Sequence, residues 1–136
     1  MKAFEAPHAT ILLLDSDPTS RAALHDVLQE AGYLALRAAD LGVAVDRLAE
    51  ARPDLLIVRP YINSMPGRVA ADYLRSRQPG LPVLILAGTI DEDRLNVQRT
   101  VEKVYTFPEP FPREDLLTKV REVLAQVNHA GRTAHK

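Results

Sequence analysis

The chain has 136 residues, no cysteine and a formal net charge of −1 at pH 7. This length predicts one domain that folds unaided, and the lack of cysteine excludes disulfides, thiolate zinc sites and a cysteine nucleophile. The balanced charge argues against direct nucleic-acid binding, and no apolar run reaches the roughly 18 residues that a membrane span requires.

Short apolar runs recur along the chain, each about four residues long and mostly continuous rather than alternating. Strands show this pattern when helices cover both faces of a parallel sheet. In chain order, the predicted strands are Ile11–Leu14, Tyr33–Leu36, Leu55–Val58, Val83–Leu86 and Val104–Phe107.

Helical patterns follow these runs, with apolar residues spaced so that they fall on one face. The last pattern is the clearest, because its apolar residues continue over three turns, whereas the third and fourth patterns are weaker. In chain order, the stripes are Leu24, Val27, Leu28 and Ala31; Ala44, Val45 and Leu48; Ala70 and Leu74; Leu95 and Val101; and Leu116, Leu117, Val120, Val123, Leu124 and Val127.

Capping residues agree with the helical patterns. Asp17 before Pro18 and Asp40 are typical N-caps, and Gly32 is suited to end the first helix. We expect an N-terminal extension over residues 1–9, one domain over residues 10–127 and a flexible tail over residues 128–136. The extension carries an acid and lacks a long apolar core, so it does not resemble a signal peptide, and we expect a cytoplasmic protein.

Strict alternation of strands and helices predicts an α/β fold, a doubly wound (βα)5 domain with a five-stranded parallel sheet. The common order for five strands is 2-1-3-4-5, the flavodoxin-like arrangement. Ligands of such sheets bind beyond the carboxyl ends of the strands, near the switch between strands 1 and 3. The residues at those ends are Asp15, Ser16 and Asp17, then Arg59 and Pro60, then Ala87, Gly88 and Thr89, then Glu109 and Pro110.

The segments around these positions resemble the receiver domain of bacterial two-component response regulators. ILLLDSDPTSR resembles the first strand with its acidic pair, and RPDLLIVR resembles the third strand, which normally ends in the phosphoacceptor aspartate. GYLALRAAD, LPVLILAGT and FPEPF resemble the second strand, the fourth strand and the Lys-Pro-Phe element after the fifth. The match runs in register from Thr10 to Val127, and the motifs are specific as an ordered set although each alone is weak.

The resemblance implies a pocket in which one aspartate accepts a phosphoryl group, two further acids hold magnesium, and a hydroxyl and an ammonium bind the phosphoryl oxygens. Asp15 matches the first acid of the pair. Ser16 stands for the second acid, and Arg59 stands for the acceptor. Ala87 replaces the hydroxyl residue and Glu109 replaces the lysine. The resemblance is therefore to a degenerate receiver, a pseudo-receiver, with no metal ion and no cofactor.

Arg59 is the decisive change, because a guanidinium is always protonated, only donates hydrogen bonds and has no nucleophilic oxygen. It also brings positive charge to the place of the magnesium ion. Asp15 and Glu109 remain as acids, with Asp17 close by. We predict that Arg59 pairs with Asp15, Glu109 or both and so fixes one conformation. The same pair would also be consistent with simple charge satisfaction that adds little stability.

Several of these polar residues have a second interpretation. Asp17 is expected to be a helix N-cap. Thr89 would replace the lost hydroxyl if the register slipped by two residues. Ser16 and Ser64 are candidates for nonstandard modification, although both also fit ordinary polar loops. The resemblance implies a cis peptide bond before Pro110.

Motifs of other chemistries are missing from the sequence. The four histidines are scattered without ligand spacing, and there is no Gly-rich phosphate loop and no nucleophile elbow. We therefore expect no enzymatic activity and a signalling module that acts by protein–protein interaction, independently of phosphorylation. The alternatives are a phosphotransfer-competent response regulator with an atypical acceptor, a pocket whose arginine binds a small anion, and a structural spacer in a longer protein.

The resemblance implies that protein partners bind on the face made by the fourth helix, the fifth strand and the fifth helix. A homodimer through the same face is a further option, and neither membrane nor nucleic acid is expected as a partner. The candidate residues on this face are Arg94, Leu95, Tyr105, Thr106 and Lys119.

Overall fold

The computed structural model describes residues 9–87 and 103–134. Within the described residues, strands and helices alternate, apart from one short hairpin after the third strand and the interval of residues 88–102, which is not described. The elements are β1 (Thr10–Leu14), α1 (Pro18–Glu30), β2 (Leu34–Ala38), α2 (Leu41–Ala51), β3 (Leu55–Val58), β4 (Tyr61–Ile62), β5 (Met65–Pro66), α3 (Gly67–Arg77), β6 (Val83–Ala87), β7 (Val104–Pro108) and α4 (Arg113–Ala134).

The main sheet has five strands in the order β2-β1-β3-β6-β7, and every neighbouring pair is parallel. The strands β4 and β5 form a separate antiparallel hairpin. When the hairpin is left out, the order is 2-1-3-4-5, so the predicted flavodoxin-like fold is confirmed. This order places the ends of β1 and β3 side by side at the centre of the sheet.

The observed boundaries differ from the predicted ones mainly at two elements. β2 begins after Tyr33 and extends to Ala38, because its parallel pairing with β1 continues as far as Leu14. α4 runs through Ala134, beyond the boundary predicted at residue 127, so most of the polar segment predicted as a tail is helical. The predicted fourth helix, with Leu95 and Val101, lies outside the described residues.

The core has two layers, one on each face of the sheet. Alternate residues of β1 show this division: Leu12 and Leu14 pack with α2 and α3, whereas Ile11 and Leu13 pack with α1 and α4. Both faces of β1 and β3 are therefore covered, and every apolar residue from Ile11 to Leu14 is buried. Continuous burial explains why these strands appear as unbroken apolar runs in the sequence.

Candidate functional site

Asp15 is the one charged or polar side chain that is buried in the described part of the chain, at 1% exposure. It follows β1 directly, and its backbone N–H donates to the carbonyl of Ala38 at 3.0 Å, which extends the pairing with β2. One carboxylate oxygen accepts from the backbone N–H of Asp17 at 2.9 Å. The other accepts from the hydroxyl of Ser20 at 2.5 Å. Both oxygens of this buried carboxylate thus have donors within the protein.

The donors to Asp15 belong to the start of α1. Asp17 is the N-cap of this helix, and its carboxylate accepts from the backbone N–H of Ser20 at 2.9 Å, as predicted. Ser20 therefore donates twice, with its backbone to Asp17 and with its hydroxyl to Asp15. Arg21 adds a bond of 3.0 Å from its guanidinium to the backbone carbonyl of Asp15. These contacts attach α1 to the carboxyl end of β1.

Arg59 follows β3, and its guanidinium donates to the carboxylate of Glu109, which follows β7. The two side chains are 26% and 23% exposed, so the pair is largely shielded from water. Within the described residues, Arg59 forms no ion pair with Asp15. The predicted pairing of Arg59 is thus present with one of its two candidate acids.

The backbone of Arg59 is held by contacts on both sides. Its N–H donates to the carbonyl of Leu14 at 3.3 Å, and the first residue of α3, Gly67, packs against its carbonyl. A Cβ on Gly67 would lie 2.0 Å from that carbonyl oxygen, so only glycine fits at this position. Gly67 also donates its N–H to the carbonyl of Pro60 at 2.6 Å.

Ser16 lies beside the β4–β5 hairpin. Its hydroxyl accepts from the backbone N–H of Asn63 at 3.1 Å. Asn63 and Ser64 form the two-residue turn of the hairpin, and Asn63 has a positive φ of 58°, which this turn requires and asparagine tolerates. Ser16 therefore contacts the hairpin, whereas Ser64 is exposed in the turn itself.

The remaining pocket positions occupy the ends of the outer strands. Ala87 is the last residue of β6 and pairs with Pro108 of β7. The peptide bond between Glu109 and Pro110 is cis, the geometry that the resemblance implied. Thr89 lies outside the described residues.

A cleft of about 560 Å³ opens beside the Arg59–Glu109 pair, between α1 and the loop that joins β7 to α4. Its walls are mainly apolar, and the ion pair is its main charged feature. The lining residues are Ser20, Ala23, Leu24, Arg59, Glu109, Pro110 and Phe111.

The predicted interaction face is described only in part, since Arg94 and Leu95 lie outside the described residues. Tyr105 donates its hydroxyl to the side-chain oxygen of Gln126 at 3.1 Å, and the ammonium of Lys119 lies 5.4 Å from its ring centroid. Both contacts join β7 to α4 and hold the Tyr105 ring along that helix. Thr106 is half-buried on the same strand.

Residues 9–87 and 103–134 contain no group of three or more His, Asp or Glu side chains arranged to hold a metal ion. In that part of the chain, no helix is long and apolar enough to cross a membrane.

The polar residues at the strand ends are predictable from the sequence, but their hydrogen-bond partners are not all predicted. Ser20 is three residues after the N-cap Asp17, in the first turn of α1. Side chains at this position can reach back past the helix start, as Glu and Gln do in a capping box, and this spacing is the signal in the sequence for its contact with Asp15. Nothing comparable marked the contact of Asn63 with Ser16, because it depends on the fold of the hairpin.

Comparison with known proteins agrees with the fold. The family model of the response regulator receiver domain matches residues 11–121. The probable transcriptional regulatory protein TcrX of Mycobacterium tuberculosis is 28% identical over 125 residues, 91% of this chain and 53% of that protein. The response regulator MprA of Mycobacterium avium is 30% identical over 116 residues, 84% of this chain and 50% of that protein.

The chain therefore spans about half the length of these two curated relatives. Among solved structures, a CheY-like receiver domain protein from Methanospirillum hungatei superposes with a TM-score of 0.78 at 18% identity. The superposition covers 91% of this chain and 99% of that one. At this level of identity, the likeness concerns the fold alone.

Proposed function

Because this chain belongs to the response regulator receiver domain family, we propose that it is a pseudo-receiver, a signalling module that works without phosphorylation. It would act by protein–protein interaction in a two-component-type pathway in the cytoplasm. The observation that carries the proposal is the ion pair of Arg59 with Glu109, at the ends of β3 and β7. An arginine has no oxygen that can accept a phosphoryl group, so the acceptor position itself is inert.

The residues at the pocket do not suit the magnesium ion of the family. A magnesium ion requires oxygen ligands in nearly ideal octahedral geometry. Asp15 already uses both carboxylate oxygens to accept from Asp17 and Ser20. The guanidinium of Arg59 brings positive charge to the same end of the sheet, which opposes a second cation. The proposed function therefore uses no bound metal ion.

The groups that would bind a phosphoryl oxygen are also replaced. Ala87, at the end of β6, has no hydroxyl, and Glu109 would repel the anion that a lysine attracts. Since Glu109 is paired with Arg59, neither charge is left to respond to a phosphoryl group. These changes together favour a pocket held in one state by an internal ion pair.

A domain held in one state still offers surfaces to a partner. The face of β7 and α4 that includes Tyr105, Thr106 and Lys119 is our proposed binding surface, on the strength of the family resemblance. Lys119 lies over the Tyr105 ring and the Tyr105 hydroxyl donates to Gln126, and these contacts hold the surface in place before a partner binds. Preorganised surfaces lose less entropy on binding.

Beryllofluoride, which mimics a bound phosphoryl group, tests this proposal directly. The isotope-labelled chain is titrated with magnesium and beryllofluoride while its amide NMR spectrum is recorded. The matched control restores the pocket of the family by four substitutions, which are Ser16→Asp, Arg59→Asp, Ala87→Thr and Glu109→Lys.

We expect no shift at the ends of β1, β3 and β6 in the wild-type chain and saturable shifts in the restored variant. If the wild-type chain shows saturable, magnesium-dependent shifts at those residues, the alternative of a phosphotransfer-competent regulator with an atypical acceptor replaces this proposal. If the restored variant does not fold, an ordinary receiver domain serves as the positive control.

A further inference from the structure

Large exposed apolar side chains are concentrated in one part of the molecule. Among the described residues, four large apolar side chains stand out as exposed: Leu34 at 52%, Tyr61 at 59%, Val69 at 49% and Tyr73 at 45%. Three of these belong to the β4–β5 hairpin and α3. Grouped apolar exposure of this kind marks contact sites, whereas scattered exposure is ordinary.

The local geometry joins these side chains in a strip. Tyr61 is paired directly with Pro66 in the antiparallel hairpin, so the two side chains lie on the same face. Pro66 is the N-cap of α3, Val69 follows three residues later, and Tyr73 follows after another four. This spacing makes them neighbours along one side of a helix. We call Tyr61, Pro66, Val69 and Tyr73 the α3 strip.

The helix of the α3 strip carries an excess of positive charge, and one of its arginines contacts the strip. The helix contains Arg68, Arg75 and Arg77 against a single acid, Asp72. The guanidinium of Arg77 lies 5.4 Å from the ring centroid of Tyr73, a cation–π contact that holds this charge at one end of the strip. The first turn contains no acid and the N-cap residue provides no side-chain bond, so the partial positive charge of the helix N-terminus is not offset.

We propose that the α3 strip docks a partner protein through a segment that carries apolar side chains beside aspartates or glutamates. The apolar side chains would cover Val69 and the two tyrosines, and the acids would pair with the arginines. Tyrosine and arginine are the residue types that contribute most at such contacts. This inference goes beyond the proposed function, because α3 lies on the opposite face of the sheet from α4.

Charge also argues against the other occupants. In a symmetric dimer, each residue of the strip would meet the same surface of a second copy, so the arginines of two α3 helices would be brought together. A nucleic acid would need a wider field of positive charge than α3 provides, and the chain carries a net charge of −1. An acidic, apolar protein segment satisfies both the charge and the exposed rings.

The test uses an amphipathic helical probe peptide built from leucine, alanine and glutamate. A control peptide has lysine in place of every glutamate and the same apolar residues. Binding of each to the isotope-labelled full chain is followed by amide NMR. The chain variant Val69→Ser/Tyr73→Ser removes the two side chains of the strip that lie within α3, and Leu34→Ser removes the exposed leucine outside the strip. These side chains are 45% exposed or more, so both variants should fold.

We expect the acidic peptide to shift amides of residues 61–77 and to bind at least about tenfold more weakly to the double variant, as for a hot-spot aromatic. The Leu34→Ser variant should bind the acidic peptide as tightly as the wild-type chain does. The lysine peptide should bind the wild-type chain much more weakly. Absence of binding by the acidic peptide would overturn the proposal. So would equal binding of both peptides, a strip-dependent dimer in sedimentation, or tighter binding of a single-stranded oligonucleotide at the strip. None of these outcomes bears on phosphorylation, so the two proposals fail independently.

Discussion

The guanidinium of Arg59 donates to the carboxylate of Glu109 and thereby joins the loop after β3 to the loop after β7, across the end of β6. In the proposed pseudo-receiver, the pair takes the positions of the acceptor aspartate and the lysine of a typical receiver. Under that proposal both charges are reversed in sign, and the attraction between the two positions is retained.

A double-mutant cycle measures the strength of the pair. Arg59→Met, Glu109→Gln and the combined variant are compared by urea denaturation. We expect a coupling free energy of about 1–2 kcal/mol, because a largely shielded, charge-assisted hydrogen bond is stronger than an exposed one. The pair of Arg113 with Glu30 is the matched control, with exposures of 52% and 66%, and should give about 0.5 kcal/mol or less. Additive effects at Arg59 and Glu109 would show that the pair contributes no coupling.

Ser20→Ala tests whether the hydroxyl of Ser20 is a necessary hydrogen-bond donor to the buried carboxylate of Asp15. Removal of the hydroxyl leaves one oxygen of a buried carboxylate without a donor, and we expect the free energy of unfolding to fall by about 1–3 kcal/mol. Ser76→Ala is the matched control, since the Ser76 hydroxyl makes an exposed bond to the carbonyl of Tyr73 within a helix. Its effect should stay within about 0.5 kcal/mol. Equal effects of the two substitutions would contradict the assignment of Ser20.

Gly67→Ala tests the close approach of α3 to the backbone of Arg59. A Cβ would lie 2.0 Å from the carbonyl oxygen of Arg59, so the backbone must shift, at a cost of about 1–3 kcal/mol in unfolding free energy. Gly42→Ala is the control in another helix, where the nearest atom to the added Cβ is 3.4 Å away. That change should stabilise the domain by up to about 1 kcal/mol, because alanine favours helix. An unchanged free energy of unfolding for Gly67→Ala would contradict this account, because it would mean that the backbone moves apart at no cost.

Asp17→Ala tests whether Asp17 acts only as a helix cap or also as a metal ligand. As a cap, Asp17 should contribute about 1 kcal/mol to the unfolding free energy, the same with and without magnesium. Asp40→Ala, which removes the corresponding cap of α2, should behave alike, since Asp40 accepts from the N–H of Val43 at 2.9 Å. Thermal unfolding of both variants in magnesium and in chelator gives the comparison. A magnesium-dependent difference confined to Asp17 would assign it to a metal site.

The sequence predicts the sheet well because burial on both faces leaves an unbroken apolar run in each strand. The same logic locates the residues at the strand ends, since parallel strands share one carboxyl edge. The sequence pattern does not predict contacts between side chains or backbone groups of different elements. Ser20 and Gly67 illustrate this, because their partners, Asp15 and Arg59, are positioned only by the folded sheet.

The exposure of the α3 strip is also not predictable from the sequence. Val69 and Tyr73 are apolar residues with helical spacing, which normally indicates a buried face. The apolar face predicted for this helix, Ala70 and Leu74, is buried as expected, together with Ala71, so Val69 and Tyr73 lie outside it. The last helix, α4, continues to Ala134, past the end of its apolar stripe, and the sequence does not predict this extension because the polar residues after Val127 show no apolar spacing.

The central claim is that the domain accepts no phosphoryl group, and intact mass after incubation with acetyl phosphate and magnesium tests it most directly. An ordinary receiver domain treated in parallel shows that the reagent is active. We predict that the mass of the wild-type chain stays unchanged under conditions in which the control gains a phosphoryl group. A phosphorylated wild-type species that requires magnesium and disappears in chelator would contradict the account.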